Sequence, residues 1–272
     1  MANELTITKP VANLSGRLKA PFLLQLLPTS FLFRTLMFAM LRQFVPSRFH
    51  STWSGICLFC RQPTAQPLLC RYCAEELPLL DHHCRLCGTP LAGGNDICGH
   101  CLLQPPEWDF LHILADFEFP LTGLIHQLKY QHKPLPAALF GRMLAELYPA
   151  EETKPEVILP VPLHWRRQWS RGYNQAQEIA RPITKQLQIP CNNQLLTRTR
   201  ATKVQAGLSR ELRQTNLNNA FIIRPHTYQH VALLDDVVTT GVTVTTLVRL
   251  LKESGCQRVD VWAICRTQLR GE

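Results

Sequence analysis

Two aspartates, Asp235 and Asp236, stand side by side in the stretch VALLDDVVTTGVTV, residues 231–244, after an apolar run and ahead of threonines set around a glycine. Adjacent carboxylates repel each other and resist burial, so a cation or a set of hydroxyls is expected opposite them. The residues that follow suit an anion. Gly241 permits close approach of the backbone, and Thr239, Thr240 and Thr243 add hydroxyl donors. The helix expected after them offers unpaired N–H groups and the positive end of a dipole. Two acids beside a phosphate cradle match a phosphorylated ribose: the acids accept hydrogen bonds from vicinal hydroxyls while the loop takes the 5-phosphate. An ordinary strand-to-helix turn capped by threonine is the alternative reading.

A second set of residues is spaced for metal. Eight of the 11 cysteines fall into four C-x-x-C pairs, Cys57/Cys60, Cys70/Cys73, Cys84/Cys87 and Cys98/Cys101. Each such turn presents two thiolates, and two turns complete a tetrahedral four-thiolate Zn²⁺ site. Sequential pairing of the turns and a cross-braced pairing, first with third and second with fourth, fit the spacing equally. Four-sulfur sites are closed, so two structural zinc ions are expected here, not catalytic ones.

Charge separates this segment from the rest. The chain carries +9 overall, distributed as +5 in residues 1–50, −3 in 51–110 and +7 in 111–272. Eight thiolates on two Zn²⁺ make the cysteine segment still more negative, a poor phosphate clamp. The first 50 residues contain PFLLQLLPTSFLFRTLMFAM, whose longest uncharged run is the 14 residues Ala20 to Phe33. That run is short for a membrane-spanning helix, and no small-residue cleavage site follows it. An interfacial or docking segment fits it, as does sequence upstream of a start at Met37 or Met40.

The elements that must position these residues alternate. Strands are expected at 111–118, 157–161, near 220–224, at 231–236 and at 258–265, and helices near 121–131, 135–148, 174–188 and 241–254. This pattern predicts an α/β domain with a mainly parallel sheet, whose ligands bind beyond the carboxyl ends of the strands. Asp235 and Asp236 fall at such an end.

An apolar strand, two acids, two spacers and Thr-x-Gly-x-Thr resembles the phosphoribosyl-pyrophosphate (PRPP) motif of type I phosphoribosyltransferases, and is unlike a P-loop or G-x-G-x-x-G. LIHQLKY (124–130), VILPVPLHWRRQWSRGYNQAQEIA (157–180) and TRTRATKVQAGLSRELRQTNLNNAF (197–221) resemble segments of the ComF family, including its GntX-type members. The cysteine module resembles that family's double zinc ribbon, and the likeness covers about residues 53–267. It implies an α/β fold: a type I phosphoribosyltransferase-like parallel sheet flanked by helices, over residues 111–270. An N-terminal double zinc ribbon at 53–105 and an extension at 1–50 complete the organisation.

Carried onto matching residues, the resemblance implies a site. Asp235 and Asp236 would orient ribose and Mg²⁺, and Val237, Val238, Thr239, Thr240, Gly241 and Thr243 would hold the 5-phosphate. Val161 and Pro162 in PVPLH, with Arg166, Arg167 and Arg171, would meet pyrophosphate, as would Arg198, Lys203 and Arg210 from a basic loop. Arg171 joins the two aspartates as a catalytic candidate, and His126, Lys129 and Tyr130 are candidates for the acceptor side. The implied reaction is displacement of pyrophosphate from the anomeric carbon of PRPP. The alternative is binding of PRPP, a nucleotide or single-stranded DNA without turnover. Family roles in DNA uptake and utilization, or in gluconate uptake, imply a cytoplasmic protein, or one peripheral at the inner membrane, with the DNA-uptake machinery as a partner.

Overall fold

The computed structural model describes residues 55–131, 133–163, 169, 172–199 and 220–267. The expectations for residues 1–50, for Arg166, Arg167 and Arg171, and for Lys203 and Arg210 lie outside the described residues. The cysteine-rich segment opens with a two-residue hairpin, β1 (Gly55–Ile56) against β2 (Pro63–Thr64), and carries two short helices, α1 (Arg71–Glu75) and α2 (Gly99–Leu103). Beyond it run β3 (Phe110–Asp116), α3 (Leu121–Tyr130), α4 (Leu135–Glu146), β4 (Val157–Pro160), α5 (Gln175–Leu187), β5 (Leu196–Arg198) and β6 (Phe221–Ile223). Then come β7 (His230–Leu234), β8 (Val237–Val238), α6 (Val242–Glu253) and β9 (Arg258–Arg266). Each strand and helix expected between 111 and 265 is present, and β5 and β8 are additions.

Five of the strands form one parallel sheet in the order β3-β9-β7-β4, with β8 paired to β9, and β5 and β6 form a separate antiparallel pair. All seven residues of β3 and all four of β4 are buried, because helices cover both faces of the sheet. Alternation sorts the strand side chains between the two faces. Ile158, Ala232 and Trp262 pack with α3, α4 and α5, whereas Leu159, Leu233 and Ala263 pack with α6 and with the β5–β6 hairpin.

Sheet edges expose unpaired backbone groups, and both edges here are covered. On β3, Leu80 N–H donates to the Leu114 carbonyl (2.9 Å) and Leu111 N–H to the Arg85 carbonyl (2.8 Å), so the cysteine-rich segment lies along this edge. On β4, Ile158 exchanges backbone bonds with Pro190 and Asn192. The amino-terminal ends of the strands are held by charge: fully buried Asp260 meets His230 Nε2 and Arg258 Nε, each at 2.8 Å, and Arg258 also reaches Glu152 at 2.6 Å. The opposite, carboxyl ends carry the candidate site.

Candidate functional site

Strand β7 delivers the paired acids. Asp235 N–H donates to the Trp262 carbonyl (2.9 Å) and Ile264 N–H to the Asp236 carbonyl (3.1 Å), so the main chain stays pinned to β9 through both residues. The cation expected opposite them is Lys129, whose Nζ lies 2.9 Å from Asp236 Oδ1. Helix α3 buries Leu121, Leu124, Ile125 and Leu128. Lys129, one turn after Ile125, flanks that stripe and reaches across to the buried Asp236. The end of α3 is clamped in turn: the Leu128 carbonyl accepts the Tyr173 hydroxyl at 2.7 Å and Gln175 Nε2 at 3.5 Å. Lys129, an acceptor-side candidate in the sequence, thus sits on Asp236.

Asp235 is half-buried and its Oδ1 accepts the Asp236 N–H at 2.8 Å. Burial, reinforced by the neighbouring Asp236 charge, pushes its carboxyl up to about 7 against the opposing pull of that N–H bond, Lys129 and Arg198. Arg198 is therefore close enough to act on the acid. It sits on β5, its guanidinium carbon 5.3 Å from the centre of the Phe221 ring directly across the hairpin. A carboxyl poised near 7 releases its proton to solvent readily when a cation binds beside it.

The loop after the acids has the form an anion requires. Gly241 adopts φ 70° and ψ −3° at the N-cap of α6, with no side-chain bond capping the helix. The first intrahelical bond runs from Thr245 N–H to the Gly241 carbonyl (2.7 Å). The N–H groups of Val242, Thr243 and Val244 precede it at the helix's positive end. Thr239 and Thr240 are exposed, and Thr243 is half-buried. Val237 and Val238 are buried, one in each core, so what they offer a ligand is main chain.

The PVPLH stretch starts beside these residues. Val161 N–H donates to the Leu234 carbonyl at 2.8 Å, and its own carbonyl accepts from Asn174 Nδ2 at 3.0 Å. Asn174 also caps α5, its Oδ1 accepting the Ala176 N–H. A cavity of about 310 Å³ lies here, bounded by Pro160, Pro162, Gln177 and Arg198 among others. Two pyrophosphate-side candidates far apart in the chain, Pro162 and Arg198, thereby face one space.

The cysteines gather sequentially. Cys57, Cys60, Cys70 and Cys73 form one cluster and Cys84, Cys87, Cys98 and Cys101 the other, each with sulfurs within 4.8 Å of one another. Sulfur separations of 3.7 Å (Cys60 to Cys70) and 3.6 Å (Cys87 to Cys98) fit tetrahedral zinc, for which Zn–S bonds of ~2.3 Å place sulfurs ~3.8 Å apart. Backbone N–H groups prepare the thiolates: Cys73 N–H donates to Cys70 Sγ and Cys98 N–H to Cys84 Sγ. Burial pushes the Cys84 thiol up, but N–H bonds from Cys98, Leu86 and Cys87 outweigh it and hold the thiol at about 7. The donor set is that of structural zinc, and the cross-braced pairing does not occur.

Sequence reasoning missed two contacts. Lys129 was named for the acceptor side and not as a partner of Asp236. Trp108, which precedes β3, packs its ring against Gly241, and no local pattern signals that. Among the described residues no helix is long and apolar enough to cross a membrane.

The model of the double zinc ribbon domain family matches residues 51–102. The chain is 39% identical over 224 residues to the Escherichia coli K12 DNA utilization protein YhgH, covering 79% of this chain and 99% of that one. It is 36% identical over 221 residues to competence protein F of Haemophilus influenzae, covering 77% and 96%. Among solved structures, glutamine PRPP amidotransferase of Bacillus subtilis, complexed with ADP and GMP, superposes with a TM-score of 0.36 at 17% identity, over 52% of this chain and 30% of that one. A parallel sheet between helices, a double zinc ribbon along its edge and near-complete coverage of these relatives place the chain in the ComF family, with the DNA utilization protein YhgH and competence protein F.

Proposed function

We propose that the protein binds PRPP with Mg²⁺ at the Asp235–Thr243 loop and serves the uptake or utilization of DNA. The observation that supports it best is the juxtaposition at the end of β7: two acids, one paired with Lys129, separated by four residues from a glycine that opens a helix with no side-chain cap. In this reading Asp235 and Asp236 take the ribose hydroxyls, and the N–H groups of Val242 to Val244 with Thr239, Thr240 and Thr243 take the 5-phosphate. Pro162 and Arg198 border the space left for pyrophosphate. Mg²⁺, when bound, neutralises pyrophosphate and ribose oxygens while keeping most of its waters, which suits two carboxylates. The role in DNA uptake follows the names of the relatives, and the cytoplasmic location and the uptake machinery as partner belong to the same reading.

Transfer of the phosphoribosyl group to an acceptor is the reaction class this pocket serves. Binding without turnover, of a nucleotide or of single-stranded DNA, is the second reading, favoured by the +7 charge of residues 111–272. Calorimetric titration of PRPP with Mg²⁺ tests the first. Wild type binds, and the double variant Asp235→Asn with Asp236→Asn does not; equal affinities overturn the ribose assignment. Pyrophosphate release in the presence of bases, amines or nucleotides separates transfer from binding.

A further inference from the structure

Trp108 has two ends, and each touches something of consequence. Its indole Nε1 donates to the Leu86 carbonyl at 2.7 Å. Leu86 lies inside the C-x-x-C turn of the second thiolate cluster, between Cys84 and Cys87. At the other end, ring atoms Cη2 and Cζ3 lie 3.4 and 3.7 Å from the point where a side chain on Gly241 would begin. One rigid side chain therefore spans from a metal-binding turn to the residue that sets the phosphate loop.

Both neighbours of Trp108 are tied down as well. Glu107 pairs with Arg249 at 2.7 Å and Asp109 with Lys252 at 3.1 Å, so residues 107 and 109 grip the carboxyl-terminal part of α6 while Trp108 reaches its N-cap. Asp109 Oδ2 also accepts the Val259 N–H at 2.8 Å. The metal-binding turn is equally immobile on the sheet. Arg85 accepts the Leu111 N–H at 2.8 Å and pairs with Glu152 at 3.0 Å. Gly88, at φ +75°, is so close to Ile113 and Arg266 that a Cβ there would lie 2.5 and 2.8 Å from their side chains. With the turn and the helix both fixed, a change at one is transmitted through Trp108 to the other, because close-packed groups do not deform continuously.

We propose that Trp108 is a positioning residue that couples metal occupancy of the Cys84–Cys87–Cys98–Cys101 site to the affinity of the phosphate loop for its phosphoribosyl ligand. The coupling rests on the PRPP reading above. Metal in the second cluster holds the Leu86 carbonyl where the indole N–H meets it, and the ring then supports Gly241 in the left-handed conformation that opens the α6 N-terminus. Reciprocity is required: if the metal strengthens ligand binding, the ligand strengthens metal binding by the same factor.

The test uses the full chain loaded with two zinc ions. Zinc affinity is measured by equilibrium competition with a chromophoric chelator, with and without PRPP and Mg²⁺, and PRPP affinity is measured by calorimetry on the same samples. In wild type, PRPP tightens one of the two zinc equivalents by about 5-fold or more, the lower end of usual coupling, and leaves the other unchanged. Trp108→Phe keeps a ring near Gly241 but loses the N–H bond, and Trp108→Ala loses both. In each, the ligand-induced tightening disappears, and PRPP affinity falls, more for the alanine variant. Tightening that persists in Trp108→Phe, or is absent from a wild type that binds PRPP, overturns the coupling. A wild type that shows no PRPP binding overturns the reading beneath it instead, and the coupling with it. If Trp108→Ala fails to fold, the phenylalanine variant decides.

Discussion

Ionisation of Asp235 offers a quantitative handle on the site. Its carboxyl is raised from 3.8 to about 7, by burial first and then by Asp236. If Mg²⁺ and the ribose hydroxyls require it ionised, ligand binding must expel the proton. With a midpoint near 7, about one tenth of molecules are ionised at pH 6 and about nine tenths at pH 8, so affinity rises about 10-fold across that interval, about 1.4 kcal/mol. Titration of PRPP with Mg²⁺ in buffers of different ionisation enthalpy reads the proton directly. After subtraction of the ligand's own titration, release is about 0.9 proton at pH 6 and about 0.1 at pH 8. Lys129 lowers the carboxyl pKa, so Lys129→Met moves the midpoint of the profile upward. The same shift has a sign for stability. Because the folded-state pKa is raised, the ligand-free protein loses stability as pH climbs from about 4 to about 7, and Asp235→Asn does not. Between pH 5 and pH 7 the variant gains about 2 kcal/mol on wild type in denaturant unfolding. A flat affinity profile with no proton release refutes the reasoning, as does a midpoint unmoved in Lys129→Met.

Two further outcomes concern the scaffold. Gly141 in α4 faces the Ile179 carbonyl and the Pro182 ring of α5 so closely that a Cβ there meets backbone, so Gly141→Val separates the helices. It costs ~3 kcal/mol or more, read as a lower denaturant midpoint. Asp260→Ala leaves Arg258 with Glu152 alone and His230 without its partner in a buried setting, and costs about 3–5 kcal/mol in the same assay. A change below 1 kcal/mol in either variant contradicts the packing described above.

Much of this was legible locally. The runs FLHILAD, VILP and RVDVWAICR are mostly apolar with no period-2 alternation because both faces of the sheet are covered, and that points to a parallel sheet. Asn174 announced the start of α5 as a short polar side chain ahead of an amphipathic run. The β5–β6 hairpin escaped because Leu196–Arg198 is three residues long and pairs across more than 20 residues of intervening chain. Its consequence, Arg198 brought to the neighbourhood of Asp235, escaped with it.

The amino-acid sequence by itself determined which groups are available: eight thiolates in four turns, two acids ending a strand, and a glycine opening a helix. These are properties of spacing and of single-residue backbone preference, and both act within a few residues. Tertiary structure alone decided which of these groups meet. It paired the cysteine turns sequentially, set Lys129 on Asp236 across 107 positions, and laid Trp108 between a metal-binding turn and Gly241. Such meetings depend on how the sheet edge and the helices pack. The DDVVTTG stretch accordingly supplied the acids and the glycine, and the fold brought Lys129 and Trp108 to them.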